Sequence, residues 1–316
     1  MEERQVQDSA TWGAELAPAP NGSFGAPVPP PSGEPPEGDP TRSPSPTWPP
    51  WTAPVALLAG LLLALVGGLV VDVIAEILFG TKISGGNLPP ALSIADTVVQ
   101  DVGFVLAAVY CAHLGGRVVR SWQFGLRRPG AGWWPTTGKI LLLLVAFIVI
   151  TAIWAAAVHP GEEKTLEQLG SNDGTALLVL SAALTCAIAP MCEEFLFRGF
   201  MFTALRNWRG TLPAAAITGL VFGAVHGTSA PALDLLPLAA LGFGLCLLYR
   251  YSGSLYPCMI AHSLNNSIAF SSLEGWSLLQ GLALTVSALV GIGAVVLVCK
   301  RVGLIAPNDR FARSSA

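Results

Sequence analysis

The chain has 316 residues, of which 52% are hydrophobic and only 12% charged, with a mean hydropathy of +0.59 and a formal net charge of −3. A soluble domain carries about a quarter charged residues, so composition excludes an ordinary soluble globule, and the slightly negative balance offers no basic face for nucleic acid. Several uncharged apolar runs are long enough to cross roughly 30 Å of hydrocarbon, which places most of the chain in a bilayer.

Residues 1–50 form a separate compartment with 13 of the 25 prolines and seven acids against two arginines. Such a segment cannot bury enough apolar surface to fold, and the expectation is a disordered, partly polyproline II, cytoplasmic tail. It lacks the basic start and cleavage site of a signal peptide. Beyond it, eight apolar segments follow, at about 54–79, 92–114, 140–158, 175–205, 212–227, 233–249, 255–270 and 278–299. The reading is an all-α polytopic membrane protein of about eight transmembrane helices. Its parts are the tail, N-terminal transmembrane helices with an interfacial segment at 51–138, a core at 139–300 and a short cytoplasmic C-terminal tail at 301–316. The fifth and seventh segments are short for full spans, as expected where helices enclose a cavity rather than face lipid. The stretch from Arg117 to Arg128, with Trp122 and Phe124 among its cations, is expected to lie along the cytoplasmic interface.

Charge sets the expected orientation. With eight spans and the N-terminus inside, Arg4, Arg42, Arg117, Arg120, Arg127, Arg128, Lys139, Arg206, Arg209, Arg250, Lys300, Arg301, Arg310 and Arg313 face the cytoplasm. Only Lys82 and Lys164 face out, and Arg198 stays in the membrane. This positive-inside bias puts both termini in the cytoplasm. The high Ala, Gly and Leu content points to a GC-rich bacterial genome and hence to a bacterial cell membrane. The six cysteines all sit in or at the end of apolar segments without a C-x-x-C pair, as small hydrophobes would.

Polarity inside the apolar runs carries the functional signal. Glu193, Glu194 and Arg198 stand in the fourth segment, His226 ends the fifth, and His262 and Asn266 stand in the seventh. Ionisable side chains at membrane depth are expensive and by default mark functional sites. Glu194 and Arg198 are four apart and share a helix face, whereas Glu193 points about 100° away. The expected division is that Glu194 pairs with Arg198 and steadies the helix while Glu193 projects into a chamber. Phe222 and His226, and likewise His262 and Asn266, are also four apart. At about 1.5 Å of rise per residue, Glu193, His226 and His262 lie roughly 18, 21 and 11 Å from the cytoplasmic end, so they could share one chamber.

A carboxylate and a histidine sharing a water make a general-base pair. A second histidine with an asparagine amide supplies donors to an oxyanion. Alternatively, Glu193, His226 and His262 could hold a zinc ion with its activated water; the residues themselves do not separate the two. Asp72, Glu76, Asp96 and Asp101 lie in or near the first two spans, where helix-end placement explains most of them, and His159 sits in an outer loop. Competing classes are a transporter or proton/ion relay built on the same polar residues, or a non-catalytic membrane scaffold. No internal repeat favours transport.

Three patterns, A-P-x-x-E-E-x-x-F-R-G at Ala189–Gly199, F-x-x-x-H at Phe222–His226 and H-x-x-x-N at His262–Asn266, resemble the motifs of the CAAX prenyl endopeptidase and bacteriocin-processing (CPBP, or Abi) family of intramembrane proteases. The run Tyr249-Arg250-Tyr251-Ser252-Gly253-Ser254-Leu255 is also similar to family sequence. The resemblance covers about residues 139–272. It implies an eight-helix endopeptidase, a glutamate-dependent or metalloprotease, acting on a membrane-associated peptide or protein. Glu193 and His226 would activate water and His262 and Asn266 form the oxyanion site, with Glu194, Arg198 and Phe222 in support.

Overall fold

The computed structural model describes residues 46–80, 88–114, 119–158 and 174–305. Most of the expected tail, Lys82 and Lys164, His159, and the chain after residue 305 lie outside the described residues. Among the described residues the long elements are all helical: α1 Thr52–Phe79, α2 Pro90–His113, α3 Trp133–Val158, α4 Thr175–Arg209, α5 Thr211–Val225, α6 Leu235–Ser252, α7 Tyr256–Leu273 and α8 Leu278–Arg301. Each expected apolar segment became one helix. Six of them, all but α5 and α7, are long and apolar enough to cross a membrane; the chain is an integral membrane protein. α7 is diluted by His262, Asn265, Asn266 and four serines, and α5 is short.

Local chemistry marks the ends. α1 closes on Gly80 at φ +65° and α6 on Gly253 at φ +66°, left-handed positions that glycine occupies without a Cβ penalty. α7 opens with Pro257 in its first turn, and α8 opens on a Ser277–Gln280 capping box.

Burial sorts the helices into two layers. In their most apolar windows α1, α3 and α8 are only 11%, 6% and 11% buried, so their flanks are left to lipid. α4 and α6 reach 33% and 50% and form the centre. α5 and α6 pack backbone to backbone: a Cβ on Gly219 would lie 2.7 Å from the Ala239 carbonyl oxygen, and one on Gly223 would lie 2.4 Å from that of Leu235. This Gly219-x-x-x-Gly223 contact is the close approach that small residues allow between membrane helices. It carries Phe222 and His226 into the centre.

Pro46–Pro50 belongs to the folded body rather than to the tail. Trp48 is buried, its ring centroid 4.9 Å from that of Phe124 and 4.8 Å from that of Phe200, and Asn207 Nδ2 donates to the Pro46 carbonyl at 2.5 Å. One Trp supplies enough apolar area to dock an otherwise polar, proline-rich strand. Of the expected interfacial segment, residues 117 and 118 lie outside the described residues. Ser121–Phe124 forms a single 3₁₀ turn, and Phe124 inserts into the core, stacked 4.4 Å from Phe195.

Candidate active site

α4 is not a regular helix. Two π-helical stretches, Leu184–Ile188 and Phe195–Phe202, flank the turn Ala189–Glu194 that carries the glutamates. Pro190 is the local cause of the first. A proline inside a helix lacks an N–H and pushes away the preceding carbonyls, and widening to an i→i−5 pattern relieves the crowding. In the register set by Ala189 N–H to the Leu184 carbonyl, Pro190 would donate to Thr185 but cannot. The Asn266 side chain from α7 takes that place, its Nδ2 donating to the Thr185 carbonyl at 2.9 Å. The A-P and H-x-x-x-N patterns are thus physically joined.

One turn on, Arg198 is fully buried. Its Nη1 donates to Glu194 Oε1 at 2.7 Å and its Nη2 to the Gly242 carbonyl at 3.1 Å, with the Phe222 ring 4.4 Å from the guanidinium carbon. A cation at this depth is tolerable because a carboxylate, a carbonyl and an aromatic face surround it. The expected Glu194–Arg198 pair is present, but Glu194 does more. Its Oε1 also accepts from His262 Nδ1 at 2.9 Å. The chain Arg198–Glu194–His262 locks the imidazole, and since Nδ1 carries the hydrogen, Nε2 is the nitrogen left to face the chamber.

There it meets Glu193. His262 Nε2 lies 3.8 Å from Glu193 Oε2, beyond direct hydrogen-bond reach, and that buried oxygen has no hydrogen-bond partner. A polar gap of this length between two well-held groups is one that a water or a substrate group can bridge. His226, half-buried at the end of α5, donates from Nδ1 to the Phe222 carbonyl at 2.7 Å, which leaves its Nε2 as an acceptor. The Phe222 ring joins the two histidines, its centroid 4.8 Å from that of His226 and 5.6 Å from that of His262.

The structure therefore brings Glu193, Glu194, Arg198, Phe222, His226 and His262 into one cluster. The ion-pair contact of Glu193 is to His262; no nitrogen of His226 lies within 4.0 Å of a Glu193 carboxylate oxygen among the described residues. Asn266 donates to the Thr185 carbonyl and accepts from Asn265 at 3.3 Å, so one of its two amide hydrogens is spent on α4. Nor do three His, Cys, Asp or Glu side chains among the described residues group closely enough to hold a metal ion. In this arrangement Glu193, His226 and His262 do not fit a shared zinc, and no step below runs through a metal.

By sequence Asp101 groups with acids that helix-end placement explains, and that explanation does not cover it. It is the twelfth residue of α2, not near a helix end, and it is 1% exposed with both carboxylate oxygens unpartnered. It lies within electrostatic range of Glu193 and of Cys192. Its only signal in the sequence is an acid deep in an apolar run, which argued equally for Asp96. All six cysteines are unpaired, as expected.

Fold and site define a class: a polytopic helical membrane protein with a buried carboxylate–histidine cluster. Within it, residues 175–268 match the family described as Rce1-like, type II CAAX prenyl endopeptidase Rce1-like, a stretch that includes all three motifs. The chain is also 30% identical over 142 residues to an uncharacterized protein of Mycoplasma capricolum subsp. capricolum, covering 41% of each chain. It thus spans less than half the length of that curated relative. No solved structure matches it.

Proposed function

We propose that the chain is an intramembrane endopeptidase of the CAAX-protease-like type, hydrolysing a peptide bond in a membrane-associated peptide or protein without a metal ion. The observation that carries this reading is the unpartnered, buried Glu193 carboxylate facing a histidine whose far nitrogen is held by Glu194. Glu193 takes the proton of the attacking water as its oxygen bonds to the carbonyl carbon, and returns that proton to the leaving amine as the C–N bond breaks. His226, fixed as the Nδ1–H tautomer by the Phe222 carbonyl, offers Nε2 as the second acceptor for that water, and substrate entry brings it and Glu193 to a common molecule. His262 stabilises the oxyanion. Its Nδ1–H is held by Glu194, so Nε2 is the nitrogen turned to the developing oxyanion, to which it donates when both ring nitrogens carry a hydrogen. Asn266 contributes to the same oxygen through the second hydrogen of its amide, or by exchanging the Thr185 carbonyl for substrate.

We further propose that both termini lie in the cytoplasm of a bacterial cell, on the charge asymmetry of the loops. Purified protein in detergent, given a library of fluorogenic membrane-anchored peptides, tests the activity. Cleavage that disappears in Glu193→Gln while folded yield persists supports the reading. Stoichiometric zinc in active protein, with activity lost on chelation and restored by metal, overturns its metal-free part.

A further inference from the structure

A groove of about 510 Å³ runs between α7 and α8, away from the carboxylate–histidine cluster. Arg128, just before α3, and Lys300, at the end of α8, lie at one end of it. Neither forms an ion pair among the described residues, and neither α7 nor α8 contains an Asp or Glu that could neutralise them. Tyr256 lines the same groove, 9% exposed, its hydroxyl buried without a hydrogen-bond partner, with Lys300 Nζ 5.7 Å from its ring centroid. A buried phenol with no partner costs free energy unless something polar completes it. Two unpaired cations beside it set the charge of that partner as negative.

The rest of the groove is apolar. Leu289, Ile292 and Val296 line it from α8 and Ile260 from α7. At its middle Gly293 opens the wall, where an added Cβ would meet nothing within 4 Å. From Lys300 to Leu289 the α8 face descends eleven residues, about 16 Å at the helical rise. Half of a hydrocarbon core is about 15 Å. The groove is as long as one leaflet, charged at the interface and greasy below it.

We propose that this groove is a binding site for an anionic phospholipid, its phosphate on Arg128, Lys300 and the Tyr256 hydroxyl and one acyl chain laid along α8 past Gly293. Zwitterionic lipids share the phosphate, but their own cation opposes Arg128 and Lys300. A free phosphate would leave the apolar length unused.

Native mass spectrometry of the full chain, released from micelles holding phosphatidylglycerol and phosphatidylcholine in equal amounts, tests this. Wild type should retain phosphatidylglycerol with a preference of roughly 10–30-fold, the scale expected for two interfacial cations. The double variant Arg128→Gln/Lys300→Gln should lose the preference yet still bind both lipids weakly. Gly293→Leu, whose Cβ enters open space in the groove wall, should reduce retention of both. Equal retention of the two lipids by wild type, or variants indistinguishable from it at unchanged melting temperature, would overturn the proposal. So would a thermal shift from inorganic phosphate alone as large as that from phosphatidylglycerol, since the ligand would then be a free anion.

Discussion

Glu193 and Glu194 are neighbours in sequence and opposites in environment. Glu194 is completely enclosed, and one of its oxygens holds both Arg198 and His262. Glu193 retains slight exposure, and its buried Oε2 has no hydrogen-bond partner. Helical geometry alone produces the split, because a step of 100° turns one carboxylate into the Arg198–Phe222 core and the other toward α2 and the chamber. Glu194 Oε2 and Arg198 Nε also lack a partner, so the difference lies in Glu194 Oε1: an oxygen that holds two donors adds stability, whereas the unpartnered Glu193 oxygen costs stability that only a ligand or transition state offsets.

That contrast can be broken in graded ways. The largest effect belongs to Glu193→Gln, expected to cut peptide turnover about 10²–10⁴-fold, as for loss of a general base, with the melting temperature unchanged or raised. If turnover survives, the base lies elsewhere. Glu194→Gln comes next. It leaves a buried guanidinium without its counter-charge and frees His262, for a loss of about 3–5 kcal/mol in stability, read as reduced folded yield and an early thermal transition. A protein with wild-type stability and no activity would reverse the roles of the two glutamates.

Asn266→Ala sharpens the comparison between structure and chemistry. Orphaning the Thr185 carbonyl should cost about 1–3 kcal/mol, visible in thermal unfolding. Loss of an oxyanion donor would instead lower turnover about 10²–10³-fold at nearly normal stability. Measuring both on one preparation separates the roles, and a combined effect is expected because the amide has two hydrogens. The smallest effect is expected of Asp101→Asn, a neutral isostere at an unpartnered site. Turnover should fall by roughly tenfold or less, equivalent to about 1.4 kcal/mol. A loss matching that of Glu193→Gln would make Asp101 part of the reacting machinery.

Much of the molecule was legible in its sequence, for identifiable reasons. Hydrocarbon thickness fixes the length of an apolar run, so all eight helices could be placed to within a few residues, Trp133 and Arg209 being the largest departures. Spacing of four along a helix puts side chains on one face, so the Glu194–Arg198 pair and the Phe222–His226 contact followed from numbers alone. What spacing cannot supply is the partner across the gap between helices. The capture of His262 by Glu194, of the Thr185 carbonyl by Asn266 and the approach of Asp101 to Glu193 join residues 68, 81 and 92 positions apart. The π-helical stretches around Pro190 rotate the faces of α4 away from where a regular helix would aim them, and the Gly219–Gly223 contact sets how far α5 brings its histidine inward. Trp48 looked like part of a polar tail because its prolines outweighed one aromatic ring, and only a cleft between Phe124 and Phe200 gave that ring somewhere to go. Local periodicity decided which residues could enter the chamber; packing between helices decided which of them touch.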